Sequence, residues 1–300
     1  MEVLPIASES LGVRSFCIQV TTKHTTIMID PSVSLAPRRY GLPPHAIEIR
    51  RMNEIWDEIL KRSRESDVIV ITHYHFDHFS LDEPEQFRNK WLLIKHPREK
   101  INFSQMRRSA LFLKKVEGIA RRIEYCDSRE FKVDGTTLKF SNPVSHGIDK
   151  RLGFVVEVAI TDGEDKLLFT SDVEGPALEE QVEFILKENP EILFVDGPMT
   201  YMLGYKYPES ALTQSIENLL RVIRSSQVRE LILDHHLLRD LNYAEKIREV
   251  LDEGRKMGCK ILSMAELLGR ENELLEARRR ELFQLYKHME EKPRKSITSE

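Results

Sequence analysis

Cysteine and long apolar runs are both scarce in this chain of 300 residues. The three cysteines, Cys17, Cys126 and Cys259, stand far apart and in no paired motif, which argues against a disulfide framework and favours a reducing compartment. No apolar stretch approaches the ~20 residues that span a bilayer, and the first residues do not form a basic-then-apolar signal. We therefore expect a cytoplasmic protein without a membrane segment.

An excess of either charge is also missing. The net charge of −4 and the isoelectric point near 6.2 create no global field that favours nucleic acid or acidic membranes, although a local patch could. The hydrophobic fraction of 41% is enough for the core of one large α/β domain or of two smaller ones. Charged residues reach 31% while Asn and Gln are few, a composition that favours a thermophilic source.

What the chain does have is a cluster of metal-binding side chains in one loop. The loop follows directly on the apolar run Asp67–Thr72, a predicted buried strand, and contains His73, His75, Asp77 and His78. Imidazole nitrogen and carboxylate oxygen together suit zinc and neighbouring divalent metals. Four such groups this close cannot easily serve one tetrahedral ion, so the loop predicts two metals in a shared site and hydrolytic chemistry.

The second half of the chain repeats the plan of the first. Each half begins with a predicted hairpin whose second strand ends at an aspartate, Asp30 in the first half and Asp172 in the second. Each half also has a later strand that ends at a histidine, and aligning these strands equates His73 with His235. Predicted helices between the strands are Glu48–Arg64, Lys100–Arg122, Ala177–Asn189 and Ser210–Ser225. This alternation predicts an α/β protein with mixed sheets and helical cover, and the duplication predicts two sheets packed face to face.

The pattern His-x-His-x-Asp-His after an apolar strand resembles the signature of the metallo-β-lactamase superfamily. The resemblance extends over residues 10 to 265 and includes five motif positions in order, at Asp30, His73–His78, His146, Asp172 and His235. It implies a four-layer αββα sandwich of two pseudo-equivalent halves, and the chain is most similar to an archaeal branch of the superfamily. The implied organisation is a hydrolase domain over 1–268, with a basic helical segment 98–122 inserted, followed by a charged helix and tail over 269–300.

The same resemblance implies a set of site residues and two divalent ions, most often zinc, with manganese or iron as alternatives. The implied ligands are His73, His75 and His146 for one ion and Asp77, His78 and His235 for the other. Asp172 matches a carboxylate that bridges both ions, which one anion can do because it offsets two close cations. Asp30 matches a residue that hydrogen-bonds a ligand and fixes its orientation. Asp77, Asp172 and Asp30 are the implied catalytic residues, and two such ions would activate a water for hydrolysis.

The choice between His235 and His236 rests on two arguments. Adjacent strand residues point to opposite faces, so only one of the two is expected to bind a metal. The alignment of the two halves favours His235, and the family pattern agrees. His236 is then expected to support a ligand or to face the substrate.

Two loops beside the expected site are candidates for substrate contact. The proline-rich loop after Asp30 carries Arg38, Arg39 and His45, which could bind a phosphate or a carboxylate. The alternative is a solvated loop whose arginine caps a helix. In a later loop with three tyrosines, Tyr201 could stack on a base or a sugar, although packing beneath the loop is the more common role.

A basic helix and a charged C-terminal helix complete the sequence pattern. The predicted helix Lys100–Arg122 carries basic pairs seven residues apart, which would form one stripe able to bind a polyanion, although a solvated face is more common. The predicted helix Glu271–Glu291 has apolar residues that would pack on the core or form a homo-oligomer. We expect Pro293–Glu300 to be a disordered tail.

The sequence thus predicts a metal-dependent hydrolase acting on a small molecule, a nucleotide or a nucleic acid. Arg38, Arg39 and the basic stripe favour a phosphoester, and the alternative is a lactone or a thioester. Oxygen-reducing di-iron chemistry is disfavoured, since that branch of the superfamily has Glu where this chain has His75. A non-enzymatic alternative is a nucleic-acid- or metal-binding protein with an inert site, against which the complete ligand set argues.

Overall fold

A computed structural model of the chain describes residues 1–286 and 288–297. The strands in this part are β1 (Glu2–Ser8), β2 (Phe16–Thr21), β3 (Thr26–Ile29), β4 (Val68–Ile71), β5 (Trp91–Ile94), β6 (Arg122–Tyr125), β7 (Glu130–Val133), β8 (Thr136–Phe140), β9 (Val144–Ser145), β10 (Phe154–Val155), β11 (Val158–Asp162), β12 (Asp165–Phe169), β13 (Ile192–Asp196), β14 (Glu230–Asp234) and β15 (Lys260–Leu262). The α-helices are α1 (Ala46–Glu65), α2 (Phe103–Val116), α3 (Glu180–Glu188), α4 (Glu209–Ser225), α5 (Tyr243–Lys246), α6 (Arg248–Met257), α7 (Met264–Leu267) and α8 (Arg279–Leu285). Short 3₁₀ turns span Glu9–Leu11, Pro84–Phe87, Thr200–Met202 and His235–Arg239. No helix within the described ranges is both long and apolar enough to cross a bilayer.

The first sheet has the strand order β1-β2-β3-β4-β5-β6. Strands β1 to β3 pair antiparallel, whereas β3 to β6 pair parallel. Every residue of β4 is buried, as expected of a parallel strand that has apolar neighbours on both faces. The apolar stripe of α1, which includes Met52, Trp56 and Ile59, packs into the same core.

The second sheet has the strand order β15-β14-β13-β12-β11-β8-β7, and its two faces enter different cores. Phe194 in β13 packs in the core shared with the first sheet, whereas Leu193 and Val195 pack in a second core with residues of α3, α4 and α6. This division follows from the two-residue period of a strand. The two sheets therefore stack face to face with helices outside, and the predicted α/β fold, a four-layer αββα sandwich, is confirmed.

The two halves share a strand plan, but not the strand equivalence that the sequence predicts. In each sheet an antiparallel hairpin, β2–β3 or β11–β12, is followed by three parallel strands. Position in the sheet therefore pairs β4 with β13 and β5 with β14. The predicted equivalence of His73 with His235 is wrong, because His73 follows β4 whereas His235 follows β14. Both are short apolar runs, so their pattern alone could not tell which strands correspond.

The predicted basic helix is shorter in the structure. Helix α2 ends at Val116, shortly before Gly118, whose φ of 72° breaks the helical path. Arg122 begins β6 instead, and its guanidinium stacks on Trp91 at 4.3 Å. Arg108 turns inward and donates to the carbonyl oxygen of Tyr74 at 3.0 Å. The prediction of three basic pairs along one helix over 98–122 is therefore wrong.

The C-terminal segment is in contact with the rest of the chain. Helix α8 is shorter than the predicted helix Glu271–Glu291, of which residue 287 lies outside the described residues. Leu282 is buried, and Arg279 forms a fully buried ion pair with Glu48 of α1 at 2.8 Å. Leu285 is 62% exposed, so part of the apolar surface remains available, and the homo-oligomer stays a prediction.

The predicted disordered tail is also packed, as far as the structure describes it. The side chain of Asn53 in α1 donates to the carbonyl of Lys292 at 2.9 Å and accepts from the amide of Arg294 at 2.8 Å. Lys295 is buried over the ring of Trp56. The prediction for Pro293–Glu300 is therefore wrong for 293–297, and 298–300 lie outside the described residues.

The ion pair between Arg279 and Glu48 yields a stability prediction. Arg279→Ala leaves the Glu48 carboxylate buried without its cation, so the free energy of unfolding should fall by about 3–5 kcal/mol. The neighbouring Arg278→Ala removes a half-exposed pair with Glu281 and should cost far less, because water screens such a pair. Urea denaturation of both variants measures the difference, and equal losses would contradict the prediction.

Candidate metal centre

The candidate site lies where the carboxyl ends of parallel strands from both sheets meet. Strand β3 leads to Asp30, β4 to the loop His73–His78, β12 to Asp172 and β14 to His235. The backbone is strained at four places here, with φ of 51° at Asp30, 58° at Ser171, 50° at Glu174 and 58° at His235. Such conformations cost a non-glycine residue about 1–3 kcal/mol each and persist only where the surrounding structure imposes them. The fold therefore aims these side chains at one point.

The structure brings the seven predicted metal ligands into one buried cluster. Potential ligand atoms within 4.8 Å of one another form one group of His73, His75, His146 and Asp172 and another of Asp77, His78 and His235. None of these side chains belongs to a residue more than 4% exposed. These two groups contain the same residues as the two sets of ligands that the family resemblance implies, and a further group of Asp30, His73 and His78 joins them.

Asp172 lies at the centre of the cluster. Its Oδ1 is 3.0 Å from Nε2 of His78. Its Oδ2 is 3.3 Å from Nε2 of both His146 and His235, and 3.5 Å from Nε2 of His73. Four imidazole rings from both groups thus face one carboxylate, an arrangement in which that carboxylate can contact two cations.

Several buried polar atoms in the cluster have no hydrogen-bond partner among the described residues. They are Oδ1 and Oδ2 of Asp77, Oδ1 of Asp172, and Nε2 of His73 and His78. The approaches of the two histidine nitrogens to Asp172, at 3.5 and 3.0 Å, lack the alignment of a hydrogen bond. A buried polar atom without a partner costs about 1–3 kcal/mol, so such atoms rarely gather without a ligand. Nitrogen and oxygen donors of these types suit zinc and neighbouring divalent ions. The residues present therefore fit a metal site.

Asp30 orients the imidazole ring of His78 through the nitrogen that faces away from Asp172. Its Oδ2 accepts a hydrogen bond from Nδ1 of His78 at 2.9 Å, which leaves Nε2 directed at Asp172. The backbone amide and the hydroxyl of Thr72 donate to Asp30 at 2.8 and 2.6 Å. A carboxylate behind a histidine ligand fixes its tautomer and its orientation. The position of Asp30 therefore fits the supporting role that the resemblance implies.

Two charged residues of the site, Glu9 and Arg239, are missing from the sequence prediction. Glu9 accepts from Nδ1 of His235 at 2.8 Å and from Nε of Arg239 at 2.7 Å. Nη2 of Arg239 is 3.4 Å from Nε2 of His235 and 3.8 Å from Oδ2 of Asp77. Glu9 follows β1, a strand that the sequence pattern did not reveal. Arg239 lies about one helical turn after His235, and this spacing is a signal that could have identified it.

His236 has different partners from His235. Its Nδ1 donates to the carboxylate of Asp196 at 2.9 Å, and its Nε2 lies 4.0 Å from the carboxylate of Glu174. A ligand atom of His236 is still within 4.8 Å of those of Asp172 and His235. Glu174 also approaches Nδ1 of His146 at 3.7 Å, in space that a side chain on Gly147 would fill. His236 thus lies at the edge of the cluster, beside Glu174.

The close packing of these groups shifts their pKa values. Burial, together with the neighbouring His78, lowers the pKa of His73 to about 4. Burial opposes protonation of His78 and His235 as well, but nearby carboxylates outweigh it and hold the pKa of both rings well above the usual value. Burial would raise the pKa of Asp172, yet His78 and His235 keep it well below the usual value. Since metals bind neutral imidazole, an ion must displace protons here, and metal affinity should fall as the pH falls.

The predicted substrate residues differ in where the structure places them. Arg39 donates to the carbonyl of Arg239 at 3.0 Å and stacks on Tyr201 at 4.6 Å. The Tyr201 hydroxyl contacts Nη1 of Arg239 at 3.4 Å, so both residues reach the cluster through Arg239. Arg38 is exposed on the loop surface. His45 is the N-cap of α1, where Nδ1 accepts from an amide and Nε2 contacts the carbonyl of Tyr286, so its ring has a structural role.

Solved structures with a similar fold include a hydrolase and a possible metal-dependent hydrolase. An isothiocyanate hydrolase from Delia radicum gut bacteria matches with a TM-score of 0.57 and 17% identity, covering 88% of this chain and 95% of that one. A possible metal-dependent hydrolase from Veillonella parvula matches with a TM-score of 0.54 and 15% identity, covering 87% and 97%. At these identities the likeness shows the fold alone. The fold is that of the metallo-β-lactamase class.

Sequence relatives place the chain within one family of this class. It is 47% identical over 287 residues to a UPF0282 protein of Korarchaeum cryptofilum, covering 95% of each chain. It is 45% identical over 287 residues to a UPF0282 protein of Metallosphaera sedula, covering 94% and 93%. The chain belongs to the UPF0282 family. No family model matches it.

The hydrogen bond from His78 to Asp30 yields a prediction about metal affinity. Asp30→Asn removes the negative charge behind His78, so the affinity for zinc should fall about 10–100-fold while the fold is retained. Competition with a chromophoric chelator measures this affinity. Asp134→Asn, in the turn between β7 and β8, is the matched control and should leave it unchanged. Equal affinities for the two variants would contradict the role of Asp30.

Proposed function

We propose that this protein is a metal-dependent hydrolase that holds two divalent ions in the buried cluster. Zinc is the ion that we favour. The convergence of both ligand groups on Asp172 is the single observation that carries the proposal. The first position is formed by His73, His75 and His146, and the second by Asp77, His78 and His235. Asp172 is the carboxylate shared by both. Two divalent ions in such a site supply a water of lowered pKa and polarise the substrate.

The chain's own residues then orient and enclose the reaction. Asp30 and Glu9 hold His78 and His235 by their Nδ1 atoms, so that Nε2 of each ring faces the centre. The near-complete burial of the cluster excludes bulk water, which strengthens every charge interaction inside it. Arg39 and Tyr201, which are half-buried, lie on the side of the cluster from which a substrate would approach.

A phosphoester is the substrate class that we favour. Arg39, Tyr201 and Arg239 form a connected group on the second-position side, and guanidinium groups suit phosphate oxygens. A lactone or a thioester is the alternative, because the same metal chemistry serves attack on a carbonyl. The complete and aligned ligand set argues against an inert metal-binding or nucleic-acid-binding protein.

The division of roles between the adjacent histidines is testable. His235→Ala should lower the zinc content from two ions per chain to one, because its Nε2 faces Asp172 and Asp77. His236→Ala should retain both ions, since Nε2 of His236 faces the carboxylate of Glu174 at 4.0 Å and not those of Asp172 and Asp77. Inductively coupled plasma mass spectrometry of the desalted proteins gives the content. The opposite pattern would exchange the assigned roles.

The hydrolase assignment is tested with the wild type and two site variants. The metal-loaded wild type should hydrolyse a phosphodiester faster than a lactone, a thioester or an isothiocyanate. His75→Ala and Asp77→Asn should lower that rate at least about 100-fold, because both change proposed ligands. Circular dichroism establishes that the variants are folded. A wild type with fewer than one metal per chain and no activity on any substrate would refute the proposal, whereas activity on a carbonyl substrate alone would favour the alternative.

A further inference from the structure

We infer that the turn Arg39–Leu42 forms a subsite for a second anionic group of the substrate, a phosphate separate from the ester that reacts at the metal cluster. The inference rests on the proposed function, because it concerns the substrate of the same site. It narrows the favoured substrate to a phosphoester that carries a further phosphate, and Arg39 is the residue that would bind this phosphate.

Arg39 and Arg239 are placed differently with respect to the metal cluster. Nη2 of Arg239 is 3.8 Å from Oδ2 of Asp77, so its guanidinium faces the proposed ligands. The guanidinium of Arg39 instead contacts the carbonyl oxygen of Arg239 and the ring of Tyr201. In the part of the chain that the structure describes, no proposed metal ligand is among its hydrogen-bond, ion-pair or ring partners. An anion bound at Arg39 is therefore a different group from the one at the ions.

The guanidinium of Arg39 is stacked but not fully hydrogen-bonded. Its Cζ lies 4.8 Å from the ring centre of Tyr40 and 4.6 Å from that of Tyr201. Nη2 donates to Arg239, whereas the buried Nε and also Nη1 have no hydrogen-bond partner among the described residues. The donors of a planar guanidinium point outward from its edge, so stacking fixes the plane and leaves donors for an oxyanion.

The carboxylate of Glu276 offsets the charge of Arg39 only in part. Glu276 accepts from Nε and Nη2 of Arg14 at 2.6 and 2.9 Å, so both of its oxygens are engaged with that residue. Nε of Arg39 approaches the same carboxylate only at 3.9 Å, which is too long for a hydrogen bond. The side chain of Arg39 is 13% exposed, and a cation with so little access to water is stabilised by an anion.

The turn that carries Arg39 is held in place before a ligand arrives. Arg39 and Leu42 exchange two backbone hydrogen bonds, at 3.0 and 2.9 Å, and Tyr40 between them has a φ of 56°. A non-glycine residue keeps such a conformation only where its surroundings impose it. Here the Tyr40 hydroxyl donates to the carbonyl of Ala277, and Nη1 of Arg279 donates to that of Leu42, both at 3.1 Å. A preformed turn lowers the entropy cost of binding an anion.

The test compares thymidine dinucleotides without and with a terminal phosphate, placed in turn at the 5′ and the 3′ end, as substrates of the zinc-loaded full-length chain. For at least one phosphorylated form, KM of the wild type should be about tenfold or more lower, as one hydrogen bond to a charged group can provide. Arg39→Met should remove this difference, whereas Arg39→Lys, which keeps the charge without the planar fork, should keep part of it.

Arg229→Met is the matched control. Arg229 is 80% exposed and precedes β14, at the end of that strand opposite to His235. The variant changes the net charge by the same amount as Arg39→Met, and it should keep the full difference in KM. Circular dichroism establishes that the variants are folded. Loss of the difference in both methionine variants would overturn the inference, because a general effect of charge would then account for it.

Binding to the metal-free chain gives a second readout that needs no turnover, and no ion is then present to bind the terminal phosphate. In phosphorus NMR of the preferred dinucleotide, the wild type should broaden the signal of the terminal phosphate more than that of the internal diester. Arg39→Met should abolish this excess broadening, and Arg229→Met should keep it. Excess broadening that survives Arg39→Met would contradict the subsite.

The outcomes separate this inference from the proposed function. Equal KM values of the wild type for all the dinucleotides would overturn the inference and leave the hydrolase intact, as would a difference that Arg39→Met retains. A wild type that hydrolyses none of them would count against the proposed phosphoester substrate. The NMR experiment would then still decide whether Arg39 binds a phosphate.

Discussion

The site depends on one buried carboxylate, Asp172, that four imidazole rings approach from two sides. Without that carboxylate, rings this close would only repel one another when charged and leave nitrogens without partners when neutral. The strained backbone at Asp30, Ser171 and His235 directs side chains towards this carboxylate. The sandwich stabilises those conformations, because the cores on both faces of the second sheet fix where its strands end.

The ligand side chains come from both sheets. Many other residues of the site are therefore needed to hold those side chains in place. The loop after β4 supplies ligand groups from the first sheet, and the segments after β12 and β14 supply them from the second. His78 and His235 follow strands of different sheets, so each ring is oriented by its own carboxylate. Asp30 accepts from Nδ1 of His78, and Glu9 accepts from Nδ1 of His235. Each carboxylate is itself held, Asp30 by Thr72 and Glu9 by Arg239. The alignment of the ligand atoms therefore depends on contacts between segments more than two hundred residues apart.

The sequence predicted what was local or followed a known order. The loop His73–His78 is visible because its ligands are adjacent in sequence, and the layered fold follows from alternating strands and helices. Glu9 and Arg239 were missed, since 230 residues separate them and no periodicity relates such positions. The false match of β4 with β14 has a similar cause: short buried strands look alike, and only pairing distinguishes them. The prediction of a basic stripe was wrong, because the helix that it required ends before Gly118.

The formal charges of the cluster show why an arginine can be present in a site for two cations. Five carboxylates and one guanidinium face it, from Glu9, Asp30, Asp77, Asp172, Glu174 and Arg239. With neutral imidazoles these groups sum to −4, which two divalent ions bring to zero and a single ion leaves at −2. A buried site favours the balanced state, because uncompensated charge is costly away from water. Without Arg239 the two-ion state would retain a net charge of −1. The guanidinium of Arg239 therefore completes the charge balance once both positions are filled.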